Sequence, residues 1–160
     1  MILLLVAELV GLYKDVAAQS GIELKSEIDN KLKPAPLDAD GIHTCLTNLV
    51  SNAIDACVMS EKKGNEVVIS VSEGRDKLIF EVSDNGSGID YEIKKKIFTT
   101  FFTTKGGEGT GLGLLTTRKI VKEHGGSIKV ISQKGKGARF KMEFPRKRLA
   151  DLFKQSKQNN

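Results

Sequence analysis

The chain has 160 residues, of which 39% are hydrophobic and 28% charged, and a formal net charge of +5 at pH 7. This size and composition predict one globular domain with a sizeable core, and the absence of tryptophan together with an aromatic share of 6% predicts a mainly aliphatic core. The apolar run at the N-terminus ends at Glu8, so it is too short to cross a bilayer, and it lacks the basic start of a signal peptide.

The surplus of positive charge lies late in the chain and is not accompanied by a nucleic-acid-binding motif. We therefore expect a solvated basic surface and no nucleic acid partner. Cys45 and Cys57 lie in one helical pattern, about 18 Å apart along its axis, which is beyond disulfide reach. They are expected to be reduced core residues of a cytoplasmic protein.

Hydrophobic periodicity and the positions of glycine and proline predict several helices and strands. Helical spacing predicts helices over 3–19, 40–62, 90–97 and 112–124, with a loose final helix over 147–154. Alternation predicts an edge strand over 22–28, two strands joined by a turn at 73–76, and two more over 127–132 and 138–144. Either Asp38 or Asp40 caps the long helix, and the residues after 154 are expected to be disordered. The layout predicts a two-layer α/β sandwich with helices on one face of a mixed sheet.

One face of the long helix carries an unusual polar trio. Asn48, Asn52 and Asp55 share a narrow arc away from the apolar residues of the same helix. An amide oxygen is a suitable ligand for a Mg²⁺ ion that keeps several waters and contacts substrate phosphates. An ordinary solvated helix face could show the same trio, so the helix alone leaves both interpretations open.

Asp84 ends a strand whose apolar residues Leu78, Phe80 and Val82 share its parity, so its carboxylate is expected on the core side. A carboxylate there needs hydrogen-bond donors, and the exocyclic amine of adenine is one candidate. The alternative is a local turn in which Asp84 accepts from nearby backbone N–H groups. Gly86 and Gly88 would let the following backbone turn sharply and approach a flat base.

A second glycine-rich stretch precedes the helix predicted over 112–124. Gly109, Gly111 and Gly113 leave backbone N–H groups and the positive end of a helix dipole available to an anion. Thr110 adds a hydroxyl, and Lys105 is a cation that could reach a terminal phosphate. The stretch lacks the Gly-Lys-Ser/Thr of a P-loop and does not follow a strand as a dinucleotide motif does.

These sets, in this order, resemble the motifs of the catalytic ATP-binding domain of sensor histidine kinases, which belongs to the superfamily that includes gyrase, heat-shock protein 90 and mismatch-repair ATPases. The corresponding motifs are NLVSNAIDA at 48–56, DNGSGI at 84–89, FFTTK at 101–105 and GTGLGL at 109–114. The resemblance implies a Bergerat ATP-binding fold, with a mostly antiparallel five-stranded sheet, over a catalytic domain of residues 1–146. Residues 147–160 would then form a basic, partly disordered tail.

The resemblance also implies ATP and Mg²⁺ as cofactors and assigns roles to individual residues. Asn52 would coordinate Mg²⁺, Asn48 would assist around the phosphates, and both would act with Lys105 in catalysis. The implied nucleotide-binding residues are Asn48, Asn52, Asp55, Asp84, Gly86, Gly88, Ile89, Phe101, Phe102, Thr104, Lys105, Gly109, Thr110, Gly111, Leu112 and Gly113. Three departures from the common pattern are Asp55 in place of a frequent lysine, Thr99-Thr100 in place of Glu-Pro, and Ala138 in place of a hydroxyl residue.

The hydrolases of this superfamily usually carry a glutamate, the base that activates water, four residues before the metal-binding asparagine. Here Asn48 holds that position, and an amide cannot take a proton from water at neutral pH. The substitution favours transfer of the ATP γ-phosphate to a histidine over hydrolysis. Neither His43 nor His124 is followed by the acidic residue of a phosphoacceptor motif.

The resemblance therefore implies two protein partners, a separate dimerisation and histidine phosphoacceptor domain and a response regulator receiver domain. The chain would be cytoplasmic, alone or as the cytoplasmic part of a membrane-bound sensor, without inserting into the membrane itself. A non-catalytic nucleotide-binding regulator and a true ATPase are the alternative functions.

Overall fold

The computed structural model describes residues 1–98 and 112–160. Within these ranges the helices are α1 (Ile2–Gln19), α2 (Ala39–Met59), α3 (Tyr91–Lys94), α4 (Leu112–Glu123) and α5 (Arg146–Gln158). The strands are β1 (Glu23–Ile28), β2 (Glu66–Gly74), β3 (Lys77–Asp84), β4 (Ser127–Ser132) and β5 (Ala138–Pro145). The types and order of these elements are those predicted from periodicity, although α3 is shorter than the helix predicted over 90–97.

The strands form one five-stranded sheet in the order β1-β2-β3-β5-β4. β1 pairs with β2 in parallel, and the other three pairings are antiparallel. The sheet is thus mixed and mostly antiparallel, as predicted, and β1 is an edge strand. Asp84 at the end of β3 pairs with Val67 on one side and with Ala138 on the other.

The core lies between the sheet and α1, α2 and α4. Alternate residues of the three central strands face it, and they are at most 6% exposed. These core-facing residues are Val67, Ile69, Val71, Leu78, Phe80, Val82, Phe140, Met142 and Phe144. Phe80 and Phe144 meet edge to face with ring centroids 6.0 Å apart, and most of the remaining core is aliphatic, as the composition predicted. The opposite face carries cross-strand ion pairs such as Arg139 with Glu81.

Both ends of α2 are fixed by side-chain hydrogen bonds. At the start, Asp38 is the cap, because its carboxylate accepts from the backbone N–H of Asp40 at 3.1 Å. At the other end the helix stops at Met59, before the predicted Lys62. There the Ser60 hydroxyl and the Asn65 amide donate to the carbonyl of Cys57 at 2.7 and 3.1 Å, which satisfies a terminal helix carbonyl.

The C-terminal helix α5 is longer than predicted and extends through the residues that were expected to be disordered, as far as Gln158. Its first residue, Arg146, donates to the Glu73 carboxylate and to the carbonyls of Lys33 and Pro34. Leu149 is buried at 1% exposure. Because one end is fixed to the domain and no glycine or proline interrupts the sequence after it, the helix continues outward.

Both cysteines are free and buried, as expected. Burial raises the pKa of the Cys45 thiol to about 12 and that of Cys57 to about 11, so both are protonated at neutral pH. Among the described helices, none has the combined length and apolarity needed to cross a membrane.

Candidate nucleotide-binding site

The polar face of α2 lies beside α4. Asn48, Asn52 and Asp55 are all half-buried. The Asn48 side-chain amide donates to the backbone carbonyl of Gly113 at 3.1 Å and to the hydroxyl of Thr117 at 3.2 Å. Asn48 is thus joined to the first turns of α4, which an ordinary solvated helix face does not explain. The structure therefore favours a built polar site on this face of α2.

Asp84 occupies the core-side position that its parity predicted, and its carboxylate is half-buried. One carboxylate oxygen accepts from the backbone N–H of Gly86 at 2.9 Å, so the local turn considered as an alternative is present. Burial raises the pKa of Asp84 to about 6, against the smaller lowering effect of the Gly86 and Ala138 N–H groups. A carboxylate has a second oxygen and several acceptor sites, so the turn leaves capacity for an external donor.

The loop after Asp84 packs tightly against α2. A Cβ on Gly86 would lie 2.6 Å from the backbone carbon and oxygen of Ala56. The backbone N–H of the next residue, Ser87, donates to that Ala56 oxygen at 3.1 Å. Glycine is therefore required at 86 by the approach of two backbones, which is a different reason from the predicted approach to a base. A contact between Gly86 and a base stays a prediction.

The turn between β4 and β5 forms the other side of this loop, which the sequence reasoning did not recognise. Gly88 has a φ of +69°, and a Cβ there would lie 2.1 Å from the carbonyl oxygen of Gln133. Gly137 has a φ of +83°, and its Cβ would lie 2.0 Å from the carbonyl oxygen of Asp84. The backbone N–H of Gly135 donates to the backbone carbonyl oxygen of Ser87 at 2.6 Å. The glycines of the sequence Gln-Lys-Gly-Lys-Gly at 133–137 were the available signal.

Ile89 continues this arrangement. Its backbone N–H donates to the hydroxyl of Ser132 at 2.8 Å, and that hydroxyl donates to the carbonyl of Gly137 at 2.7 Å. The Ile89 side chain packs against the hydrophobic core. Residues 84–89 are therefore held from two sides, by α2 and by the β4–β5 turn.

The predicted residues between the two glycine motifs fall in the range 99–111. Phe101, Phe102, Thr104, Lys105, Gly109, Thr110 and Gly111 all lie outside the described residues. The described residues that flank this range, Phe98 and Gly113, both accept hydrogen bonds from side chains of α4. Arg118 donates to the carbonyl of Phe98 at 3.1 Å, and Gly113 accepts from Asn48 and Thr117. The backbone of Leu112 begins α4.

Both histidines are partly buried. In His124 the ring Nδ1 lies 2.7 Å from the carbonyl oxygen of Ile120, and the ring meets Phe144 edge to face at 6.4 Å. The His124 ring is thus bonded to a helix carbonyl and packed on the core. His43 lies on α2 with its Nε2 atom buried. Both rings are thus packed within the domain.

Within residues 1–98 and 112–160, no group of three or more histidine, cysteine, aspartate or glutamate side chains could hold a metal ion. A metal at the polar face of α2 would therefore depend on amide oxygens, waters and the phosphates of a ligand. Mg²⁺ accepts such a set, because it keeps several waters and is commonly bound together with substrate phosphates. Asn48 and Asn52 fit this requirement.

α2 connects the two halves of the site. It contacts the loop after Asp84 through Ala56 and the start of α4 through Asn48. These two positions are eight residues apart, which is about 12 Å along a helix axis. The structure thus brings together Asn48, Gly113, Asp84, Gly86, Gly88 and Ile89 around one side of α2 and its C-terminal end.

The family described as histidine kinase-, DNA gyrase B-, and HSP90-like ATPases matches residues 37–148. The chain belongs to this family. The match runs from just before α2 into α5 and therefore includes every described residue of the site.

Curated relatives include the signal transduction histidine-protein kinase AtoS of Escherichia coli K12, 36% identical over 88% of this chain and 22% of AtoS. Another is the sensor histidine kinase ZraS of Salmonella typhi, 40% identical over 78% of this chain and 26% of ZraS. The chain thus spans about a quarter of the length of these relatives.

Solved structures agree with the family and the fold. The catalytic domain of histidine kinase ThkA is 34% identical, with a TM-score of 0.76 over 89% of this chain and 90% of that domain. Full-length ShkA in complex with AMPPNP is 26% identical, with a TM-score of 0.80 over 91% of this chain and 30% of ShkA. The predicted resemblance to histidine kinase catalytic domains and the predicted sheet architecture are both confirmed.

Proposed function

We propose that this chain is the ATP-binding catalytic domain of a sensor histidine kinase, which transfers the ATP γ-phosphate to a histidine on a separate dimerisation and phosphoacceptor domain. The observation that carries the proposal is the environment of Asn48. Its amide donates to Gly113 and Thr117, and an ionised carboxylate cannot donate. The site therefore suits an amide at the position where the superfamily's hydrolases usually carry their catalytic base.

The adenine base would bind at Asp84. The carboxylate accepts from the backbone N–H groups of Gly86 and Ala138 and would offer its remaining acceptor capacity to the exocyclic amine. Because the surrounding backbones are in contact, the loop is already held in shape before the base arrives, which lowers the ordering cost of binding. AMPPNP in the ShkA structure, an analogue of ATP, supports a nucleoside triphosphate as the ligand.

The triphosphate would extend along α2 towards the start of α4, where helix N–H groups favour an anion. Lys105, Thr104, Thr110, Gly109 and Gly111 are proposed to contact the phosphates from the segment that lies outside the described residues. The distance of about 12 Å from Ala56 to Asn48 along the helix is comparable to the reach of an extended nucleotide.

Mg²⁺ would be held by the oxygen of Asn52, with Asn48 and Asp55 beside it. Such an ion would supply positive charge that offsets the charge developing on the phosphates. The residues of this chain would orient the γ-phosphate and exclude competing acceptors, rather than supply a nucleophile. Phe101 and Phe102 are proposed to cover the bound nucleotide.

The acceptor histidine would come from another domain, because both histidines of this chain are engaged inside it. The His124 ring is bonded to the carbonyl of Ile120 on α4 and packs on Phe144, and the Nε2 atom of His43 is buried. A response regulator receiver domain would then take the phosphate from that histidine. Both partners are proposals, since the chain spans about a quarter of its curated relatives.

The test is transfer of radiolabelled γ-phosphate from ATP. The chain alone should bind ATP without becoming labelled, and addition of a histidine-bearing helical hairpin should produce an acid-labile label on the hairpin. Steady phosphate release without any hairpin would support a true ATPase instead. Nucleotide binding with no transfer to hairpins from several sensor kinases would support a non-catalytic regulator.

A further inference from the structure

Three groups at the contact between α2 and α4 form a closed set of hydrogen bonds. The Thr117 hydroxyl donates to the carbonyl of Gly113 at 2.8 Å. The Asn48 amide nitrogen lies 3.1 Å from the same carbonyl and 3.2 Å from the Thr117 hydroxyl oxygen. Each of the three groups thus contacts the other two.

The proton count in this set determines what each group does. A hydroxyl has one proton, and Thr117 gives it to Gly113, so its oxygen accepts from Asn48. The Gly113 carbonyl oxygen and the Thr117 hydroxyl oxygen are 2.8 Å apart, so both lie on the same side of the Asn48 nitrogen. The nitrogen end of the Asn48 amide is therefore held against α4, and the oxygen end, Oδ1, keeps its acceptor capacity for a ligand.

The burial of Thr117 indicates that its hydroxyl is present for these bonds. The residue is 0% exposed, and valine would fill the same space without a polar atom to satisfy. A threonine that only bonds back to the carbonyl four residues earlier is common in helices and needs no second partner. Here the hydroxyl oxygen also receives a hydrogen bond from another helix, so it joins two elements.

We propose that Thr117 is a positioning residue that fixes the orientation of the Asn48 amide, with its nitrogen on α4 and its oxygen available to the ligand. This inference rests on the proposed function, because the ligand in question is a magnesium nucleotide. An oxygen suits a divalent cation or its coordinated water, whereas an amide N–H would suit a phosphate oxygen. Thr117 thereby selects the metal side of Mg-ATP as the partner of Asn48.

The first measurement compares three variants of α4. Thr117→Val removes the hydroxyl with little change of volume, Thr117→Ser keeps it, and Thr116→Val makes the same chemical change at an exposed position of the same helix. The affinity for a fluorescent ATP analogue is measured with saturating Mg²⁺ and again in EDTA. The ratio of the two affinities reports the contribution of the metal.

We expect Thr117→Val to lower this ratio about tenfold, which corresponds to about 1.4 kcal/mol, while its affinity in EDTA stays close to wild type. Thr117→Ser and Thr116→Val should keep the wild-type ratio. An unchanged ratio in Thr117→Val would overturn the inference. So would an equal loss with and without Mg²⁺ alongside a lower melting temperature, which is the pattern of a purely structural residue.

A second measurement needs neither metal nor a variant of Thr117. In the wild-type protein, at least one of the two side-chain amide protons of Asn48 should exchange with solvent much more slowly than those of Asn159 or Asn160, which are exposed. Equal exchange rates would overturn the inference even if Thr117→Val failed to fold. Wild-type protein that bound no nucleotide would instead overturn the proposed function, whatever the exchange rates.

Discussion

The two ends of the candidate site are built by different means. Around Asp84, backbone packs against backbone, so that a Cβ at Gly86, Gly88 or Gly137 would lie 2.0–2.6 Å from another main chain. Around Asn48, the positions are set by side-chain hydrogen bonds, and a Cβ on Gly113 would make only ordinary contact, 3.6 Å from the Asn48 side chain. The first end is therefore intolerant of added volume, whereas the second is sensitive to the exchange of a donor for an acceptor.

The largest expected effect comes from adding one methyl group at the Asp84 end. Gly137→Ala places a Cβ 2.0 Å from the Asp84 carbonyl at a φ of +83°, so it combines a backbone clash with left-handed strain. We expect the free energy of unfolding to fall by about 4 kcal/mol, from overpacking and conformational strain together. Urea denaturation of the wild type and the variant measures this loss.

Gly135→Ala is the matched control for this change. Gly135 has nearly the same φ, +81°, but no atom lies within 4 Å of its Cβ position. The expected loss is about 1 kcal/mol, due to strain alone. Equal losses in the two variants would show that the β4–β5 turn does not pack tightly on the loop after Asp84.

The second effect concerns ligand affinity at the same end. In Asp84→Asn, the oxygen that remains is kept by the Gly86 N–H, so an amide nitrogen replaces the oxygen offered to adenine. Two donors would then face each other, and we expect ATP affinity to fall about 100-fold, or about 2.7 kcal/mol. Asp15→Asn, on the exposed face of α1, should bind as wild type. Titration calorimetry distinguishes these outcomes.

The same variant should be more stable than wild type without ligand. The pKa of Asp84 rises from 3.8 to about 6 on folding, so between these values the folded state binds more protons and the unfolding free energy falls as pH rises. We expect a loss on the order of 2 kcal/mol between pH 4 and 6 in wild type. If the unfolding free energy of wild type depended on pH no more than that of Asp84→Asn, the raised pKa of Asp84 would be contradicted.

The smallest of the three effects is expected at the Asn48 end. Asn48→Asp replaces a donor with an acceptor opposite the Gly113 carbonyl and the Thr117 hydroxyl, with no added volume. We expect a loss of about 2 kcal/mol at pH 7, decreasing at low pH because a protonated carboxyl can donate one hydrogen bond. Thermal unfolding at pH 4 and pH 7 measures this difference.

Asn52→Asp, one turn further along α2, is the control for charge alone. If both variants lost the same stability at pH 7, the loss would arise from added negative charge near Asp55 and Asp84. The hydrogen bonds of Asn48 would then have no special weight, and the two ends of the site would not differ in the way described.

Much of the fold could be predicted because it depends on local patterns. Alternation along β2, β3 and β5 assigned the buried face correctly, including the core-side position of Asp84. The burial of both cysteines also followed from helical spacing. The errors were at the ends of helices: α2 and α3 stop earlier and α5 continues further than predicted. α2 ends where Ser60 and Asn65 bond to the Cys57 carbonyl, and α5 is fixed by the bond of Arg146 to Glu73, a residue far away in the chain.

The sequence alone determined the elements, the order of the motifs and the chemical character of Asn48, Asn52 and Asp84, since each depends on residue type and short spacing. Only the tertiary structure decided that the β4–β5 turn holds the loop at 84–89 and that Thr117 orients Asn48. Those contacts join residues 43 to 69 positions apart. They arise from strand register and from the packing of α2 on α4, which no local pattern encodes.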